Sequence, residues 1–497
     1  MIKKSLSLFC FIFGFSMLSQ AESKNRILNS YTQSTNPATS IFSNEGTSGI
    51  AEIKQSYYSQ PDMGLVWDGK RGEFTDININ GIHRTSDNSF WRGGAGYKRG
   101  TRFDTQWSNT AQSEIFYPYL VGDSIGGNYK SETYWLGGGY GKRFNRSTLA
   151  GDFTYSGSVS WRNSDPRPKN TNADLALKLG YLYESRIGIF GLSAGYQNYK
   201  QHLNINIEED YRKDKFYLML GMGLYDRRYS TLESSYSRYY RGNAWEIGFS
   251  YFQKENAGFF AEANYKSSRF QVEESDFRIS AKANTNNLNL LAGYLQQVCG
   301  QYSIDYLAGI SLSERTGTEN AYKNEVSNDQ TGATVPVLIS SNSPFRLTQG
   351  YYFLQTRLRN KDENRLFKRA NVLIGMQTEN ETYEELYARY TNFISSIGSE
   401  FCFPINQRIV FETVLSLAYR MNLNKALHHD SSDEVVSGLL VPNFEYKSRS
   451  VLSENIEVRC RIQTKDIDWI PFVSCNLRQS NNQKKAYTLY AGLRLNI

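Results

Sequence analysis

Two pairs of arginines, Arg357 with Arg359 and Arg459 with Arg461, stand two residues apart within runs that otherwise alternate apolar and polar residues. In an extended strand that spacing puts both guanidiniums of a pair on one face. Guanidiniums so placed hold oxyanions or pair with carboxylates, and they do not themselves break bonds. Arg420 and Arg494 occupy the same parity in their own runs. With Arg92, Lys98, Lys178 and Lys266 they oppose six acidic groups of like parity: Asp174, Glu184, Glu246, Glu262, Glu412 and Glu457. Charges on an inward face need water or one another. The set therefore suits a hydrated, mildly basic passage for small polar solutes. A self-paired ladder that only braces a wall would carry the same residues.

Covalent chemistry finds little support. The histidines are His83, His202, His428 and His429, and no His-x-Ser pattern places a base beside a nucleophile. His428-His429-Asp430 with Asp433 and Glu434 is rich in metal ligands. It falls in a long polar stretch, however, where a solvated acidic patch accounts for it. No glycine-rich phosphate loop or zinc spacing occurs. The expectation is a protein that is not an enzyme and carries no cofactor or metal. The formal charge is +7, and loss of Lys3 and Lys4 with a leader would lower it further. That excess is too mild for a nucleic-acid partner.

The elements that must position these residues are strands. Ala486 to Ile497 (AYTLYAGLRLNI) alternates Tyr487, Leu489, Ala491, Leu493 and Leu495 with Thr488, Tyr490, Gly492, Arg494 and Asn496. The same period of two runs through Leu175–Tyr183, Trp245–Tyr251, Tyr352–Leu358, Ile409–Tyr419 and Ile456–Ile462. Met1 to Ala21 has Lys3 and Lys4, an apolar core and small residues before Ala21, the pattern of a secretory leader. Mean hydropathy is −0.54, and no apolar run is long enough for a membrane helix. Aromatics make up 14%, with 36 tyrosines. An exported chain of long alternating strands with short and long connections by turns fits an all-β, antiparallel transmembrane β-barrel. Its expected place is the outer membrane of a Gram-negative bacterium.

About nineteen alternating segments can be counted, and barrels with both ends on one side have an even number. The expectation is about 18 strands, with 14 to 20 compatible with the same pattern. Counted back from Ile497, the long loops 316–349 and 422–447 fall on the outer side, as does 102–130 counted forward from residue 48. The two counts disagree between residues 200 and 300, where either the Ser230 to Tyr240 region is one loop with a lost strand or Asn284 to Asn287 splits one strand in two. The predicted organisation is a leader at 1–21, a periplasmic segment at 22–47 able to form a small hatch, and the barrel at 48–497. Cys460 and Cys475 share the apolar parity. A two-residue turn at Ile467-Asp468 would set them opposite each other on the lipid face, within disulfide reach.

Tyr117 to Gly127 (YPYLVGDSIGG) carries Asp123 and Ser124 between an aromatic run and a glycine pair. As chemistry, these two side chains could touch a ligand. A loop folded into the lumen or over the rim is the plainer reading. On this element the chain resembles a Bacteroidota family of outer-membrane β-barrels of unknown function. That resemblance implies fold and location without assigning a substrate. Asn36-Pro37-Ala38, in a weaker likeness, is similar to the signature before the first strand of long-chain fatty-acid transporter-like barrels. This implies an N-terminal hatch and hydrophobic ligands, although Thr39 stands where a glycine is usual.

The favoured reading is a channel for small polar solutes. The alternatives are a fatty-acid-transporter-like barrel and a non-conducting barrel that anchors or assists a surface lipoprotein or a separate receptor. Expected partners are outer-membrane lipid and the outer-membrane assembly machinery.

Overall fold

The structure, a computed structural model, describes residues 35–497 apart from 43–46, 87, 209–215, 227–234, 254–257, 299–300, 327–333, 361–365, 431 and 466. The expected leader at 1–21 lies outside those residues, as does most of the 22–47 segment.

One antiparallel sheet of eighteen strands closes on itself. Its first half is β1 (Thr47–Ser59), β2 (Arg71–Ser86), β3 (Ser89–Thr105), β4 (Gly127–Phe144), β5 (Ser147–Arg162), β6 (Arg167–Glu184), β7 (Ile189–Asn206), β8 (Ser235–Phe252) and β9 (Gly258–Glu274). The second half is β10 (Ile279–Val298), β11 (Tyr302–Val326), β12 (Thr334–Asn360), β13 (Phe367–Tyr383), β14 (Leu386–Pro404), β15 (Ile409–His428), β16 (Val451–Gln463), β17 (Asp468–Ser480) and β18 (Lys485–Asn496). Each strand pairs with its sequence neighbours, and β18 closes on β1 with Glu52 opposite Arg494. Gly49 and Ile497 exchange backbone bonds of 2.8 Å at the seam. Closure removes every sheet edge along the wall.

Alternation explains the wall. Ile53, Ile77, Ile79, Leu175, Leu177, Leu179, Trp245 and Ile247 stand exposed on the outside. The charged residues between them point inward. Such a wall, apolar outside and polar inside, is matched to hydrocarbon. No helix among the described residues is long and apolar enough to cross a membrane.

The two rims differ. At one rim the connections are short, as at Asn145-Arg146, where Asn145 adopts φ 52° and so closes a two-residue hairpin turn. At the other rim the connections 106–126, 207–234 and 429–450 are long. The run 214–229 alternates and reads as a wall strand, yet its described residues 216–226 are not in the wall. Within it Phe216–Gly221 and Leu224–Asp226 join Val121–Asp123 in a separate three-stranded sheet. This is the surplus segment, and 276–297 remains one continuous strand.

Two further expectations change. The region 316–349 is not one loop, because β11 runs to Val326 and β12 starts at Thr334. Past Glu319–Asn342 these strands pair only with each other and form a projecting hairpin. Secondly, the β16–β17 turn centres earlier than Ile467-Asp468. Thr464 N–H donates to Ile467 O at 3.0 Å, and Ile462 faces Trp469. Cys475 therefore sits opposite Ile456, four positions along the strand from Cys460. Cys402, Cys460 and Cys475 are free thiols.

Candidate functional site

The lumen is filled from the long-loop side by the chain's own connections. Trp107, Phe116, Tyr119, Leu120 and Val121 pack with Leu218, Met219, Val435 and Leu439 against Tyr199, Leu203, Tyr240, Phe270 and Val272 of the wall. Phe116 lies 4.2 Å from the Tyr240 ring and meets Phe270 edge-on at 5.3 Å. Each such side chain contributes about 1.5–3 kcal/mol when buried, so this plug is a second core inside the barrel.

Polar anchors fix its position. Arg315 donates to the carbonyls of Glu114 and Tyr117 at 2.9 and 2.8 Å. Arg420 donates to Tyr446 O at 3.0 Å and Arg449 O at 3.1 Å, gripping the end of the helix Val441–Lys447. Lys447 meets Glu379 at 2.8 Å, and Asn443 accepts from Val66 N–H at 2.9 Å. Arg420, predicted to line the passage, thus holds the plug.

Asp123 is an anchor as well. It is fully buried and accepts from Arg162 Nη2 at 2.9 Å and from Gly126 N–H at 2.8 Å. Ser124 beside it is half-buried. The segment 117–127 therefore folds into the lumen. In the former histidine-acid cluster, Asp433 caps the N–H groups of Val435 and Val436, and Glu434 accepts from Tyr217 at 3.0 Å. Among the described residues no three ligating side chains converge on a metal position.

One plug carboxyl is strongly perturbed. Burial pushes Glu114, on the short helix Ser113–Phe116, up to about 8; Asp68 adds to the rise, while Lys447 and Arg315 oppose it. A carboxyl raised in the folded chain keeps a proton that the unfolded chain has released, so stability falls as pH climbs from about 4.5 to about 8. The melting-temperature advantage of Glu114→Gln is expected to grow across that window. An advantage that did not change with pH would rule out this cause.

The short-turn mouth is narrowed by the N-terminal segment Pro37–Phe42. Asn36 Nδ2 donates to Tyr181 O at 3.2 Å and Leu192 O at 2.9 Å, in a notch where Gly180 and Gly191 have no side chains. Ala38 and Ile41 pack on Phe90, Leu182, Phe252 and Phe260. Arg84 donates to Ile41 O at 2.6 Å and Arg92 to Ser40 Oγ at 2.9 Å.

On the opposite wall of that mouth the arginine pairs come together. Arg359 meets Asp305 at 2.8 Å, and Arg357 donates to Gln355 Oε1 at 2.8 Å. Arg461 meets Glu412 at 2.5 Å; Arg459 pairs with Glu457 and stands 3.8 Å from Glu412 and 4.0 Å from Glu400. Lys368 bridges Glu412 at 3.2 Å and Glu400 at 3.6 Å, while Arg369 pairs with Glu400. Arg494 is apart from this belt, paired with Glu52 at 2.6 Å across the seam.

Lys368, Arg369, Glu400 and Asp305 were not anticipated. A register shift between Phe367 and Arg369 breaks the alternation and turns two successive basic residues inward. Glu400 does keep inward parity between the outward Ile397 and Phe403, so the period of two could have found it.

A family model described as a family of unknown function (DUF6850) matches residues 38–497. No curated protein sequence matches the chain. Among solved structures, the ferric preacinetobactin receptor BauA from Acinetobacter baumannii aligns with a TM-score of 0.41 at 8% identity, covering 90% of this chain and 80% of that one. The siderophore receptor PirA from Pseudomonas aeruginosa aligns with a TM-score of 0.38 at 7% identity, covering 91% and 81%. A bacterial polysaccharide outer membrane secretin aligns with a TM-score of 0.33 at 10% identity, covering 90% and 97%.

Proposed function

The chain belongs to this family of unknown function, and we propose that it is a gated outer-membrane channel for small polar solutes, held shut by its own plug and N-terminal segment. The observation that carries the reading is a charged inner wall inside a closed apolar-faced barrel, with both ends of the lumen narrowed by the chain's own segments. A purely structural stave has no use for partly exposed lumenal charge such as Arg359, Arg369 and Arg461, whose side chains keep 23, 29 and 24% of their surface. In this reading lipid covers the outer face, the assembly machinery inserts the chain, and the short-turn rim lies in the periplasm.

Planar bilayers test the reading. The parent protein is expected to be silent or to open rarely. A variant in which short linkers replace the three plug segments 107–123, 216–226 and 432–447, and which lacks residues 36–42, is expected to give ohmic steps with a slight preference for anions. Persistent silence of that folded variant would refute a channel. Silence with a co-purifying surface protein would favour the anchoring barrel, which the projecting β11–β12 hairpin suits. Silence with bound lipid would favour hydrophobic ligands, which the apolar seat of Ala38 and Ile41 suits.

A further inference from the structure

We propose that the basic belt at the short-turn mouth is a binding site for a small oxyanion carrying two negative charges. The inference rests on the channel reading for its purpose and names the solute class.

Charge comes first. The belt gathers Arg357, Arg359, Lys368, Arg369, Arg459 and Arg461 on three strands, β12, β13 and β16. Against these six cations stand four carboxylates, Asp305, Glu400, Glu412 and Glu457, and each is already engaged. Glu400 serves Lys368, Arg369 and Arg459, and Glu412 serves Lys368, Arg459 and Arg461. Arg359 and Arg459 both act on Arg369, and Arg359 and Arg369 both act on Arg357, so the cations form one electrostatic unit. An excess of two positive charges in a narrowed lumen calls for a counter-anion.

Unused donors come second. Arg459 Nη1 and Gln355 Nε2 are buried and have no hydrogen-bond partner among the described residues, although each residue is only 4% exposed. The Arg459 nitrogen has carboxylates at 3.8 and 4.0 Å, beyond hydrogen-bonding range. Both groups are donors, so what completes them is an acceptor. Guanidinium forks match the paired oxygens of phosphate, sulfate or a carboxylate, whereas chloride offers no such geometry. Arg359, Arg369 and Arg461 keep part of their surface open to the lumen and provide the way in.

The test uses the purified full-length protein and isothermal titration with inorganic phosphate, sulfate and succinate, with chloride holding ionic strength constant. Saturable binding of at least one dianion is expected, lost by tenfold or more (on the order of one charge-assisted bond) in Arg359→Gln/Arg369→Gln. Arg494→Gln, outside the belt, is expected to bind like the parent. If the double variant fails to fold, the single Arg369→Gln carries the same comparison. Phosphate and sulfate binding without succinate would assign an inorganic ion, and succinate binding would assign organic acids. No binding by the parent, or binding unchanged in the folded variant, overturns the proposal. Its failure is separable from that of the channel reading. Currents in the plug-deleted protein that ignore phosphate would leave the channel standing alone. Phosphate binding to a protein that never conducts would leave the site standing alone.

Discussion

Arg162→Ala is expected to cost about 3–5 kcal/mol of plug stability, because it strands the buried Asp123 carboxylate without its charge partner. The side chains of the pair are 1 and 0% exposed, at 2.9 Å. Arg162 also donates to Ser164 O at 3.1 Å and Pro166 O at 2.9 Å, so one guanidinium pins the β5–β6 turn to the plug. Trp107 is 3% exposed within that plug, and its fluorescence reports the loss in a urea titration. The double variant Asp123→Leu/Arg162→Leu should recover most of the lost stability, since it leaves no orphaned charge. If the single variant melts like the parent, the ion pair does not hold the plug.

The second large effect concerns the N-terminal segment. A Cβ at Gly180 would stand 2.1 Å from Asn36 Oδ1 and 2.7 Å from Pro37 Cδ, too close for either to remain. Gly180→Leu should therefore expel the segment and break both Asn36 bonds. Each such bond is worth about 1 kcal/mol net, so access to the seat should rise on the order of tenfold or more. Maleimide labelling of Ala38→Cys reads this directly, with the native cysteines replaced by serine, because Ala38 is fully buried in the parent. Gly157→Ala serves as the control, since a Cβ there meets nothing closer than 3.7 Å. Equal labelling in both would show that the glycine notch does not secure the segment.

The wall was legible in the sequence because alternation is a local property. Leu175, Leu177 and Leu179 reveal their face without knowledge of any partner strand. The plug was not legible for the same reason. The 214–229 run alternates like its neighbours, and only the pairing of its Leu218 with Val121 inside the lumen core shows that it left the wall. Asp123 and Arg420 read as candidate ligand contacts, yet their partners come from connections distant in sequence. The arginine pairs at 357/359 and 459/461 were recognisable, whereas Lys368 and Arg369 hid behind a register shift that no period of two can express. The cysteine pairing failed on a turn displaced by two residues, which moves every cross-strand partner by four.

The projecting hairpin has a consequence for how the molecule meets its surroundings. Asn320–Val326 and the strand opposite rise about 20 Å past their neighbours at 3.3 Å per residue. Val335, Val337, Leu338 and Ile339 there are exposed. The described parts of the connections 106–126, 207–234 and 429–450 pack inward, so the hairpin stands out beyond that rim. Substitutions in this mast can therefore accumulate without disturbing the plug that fills the lumen.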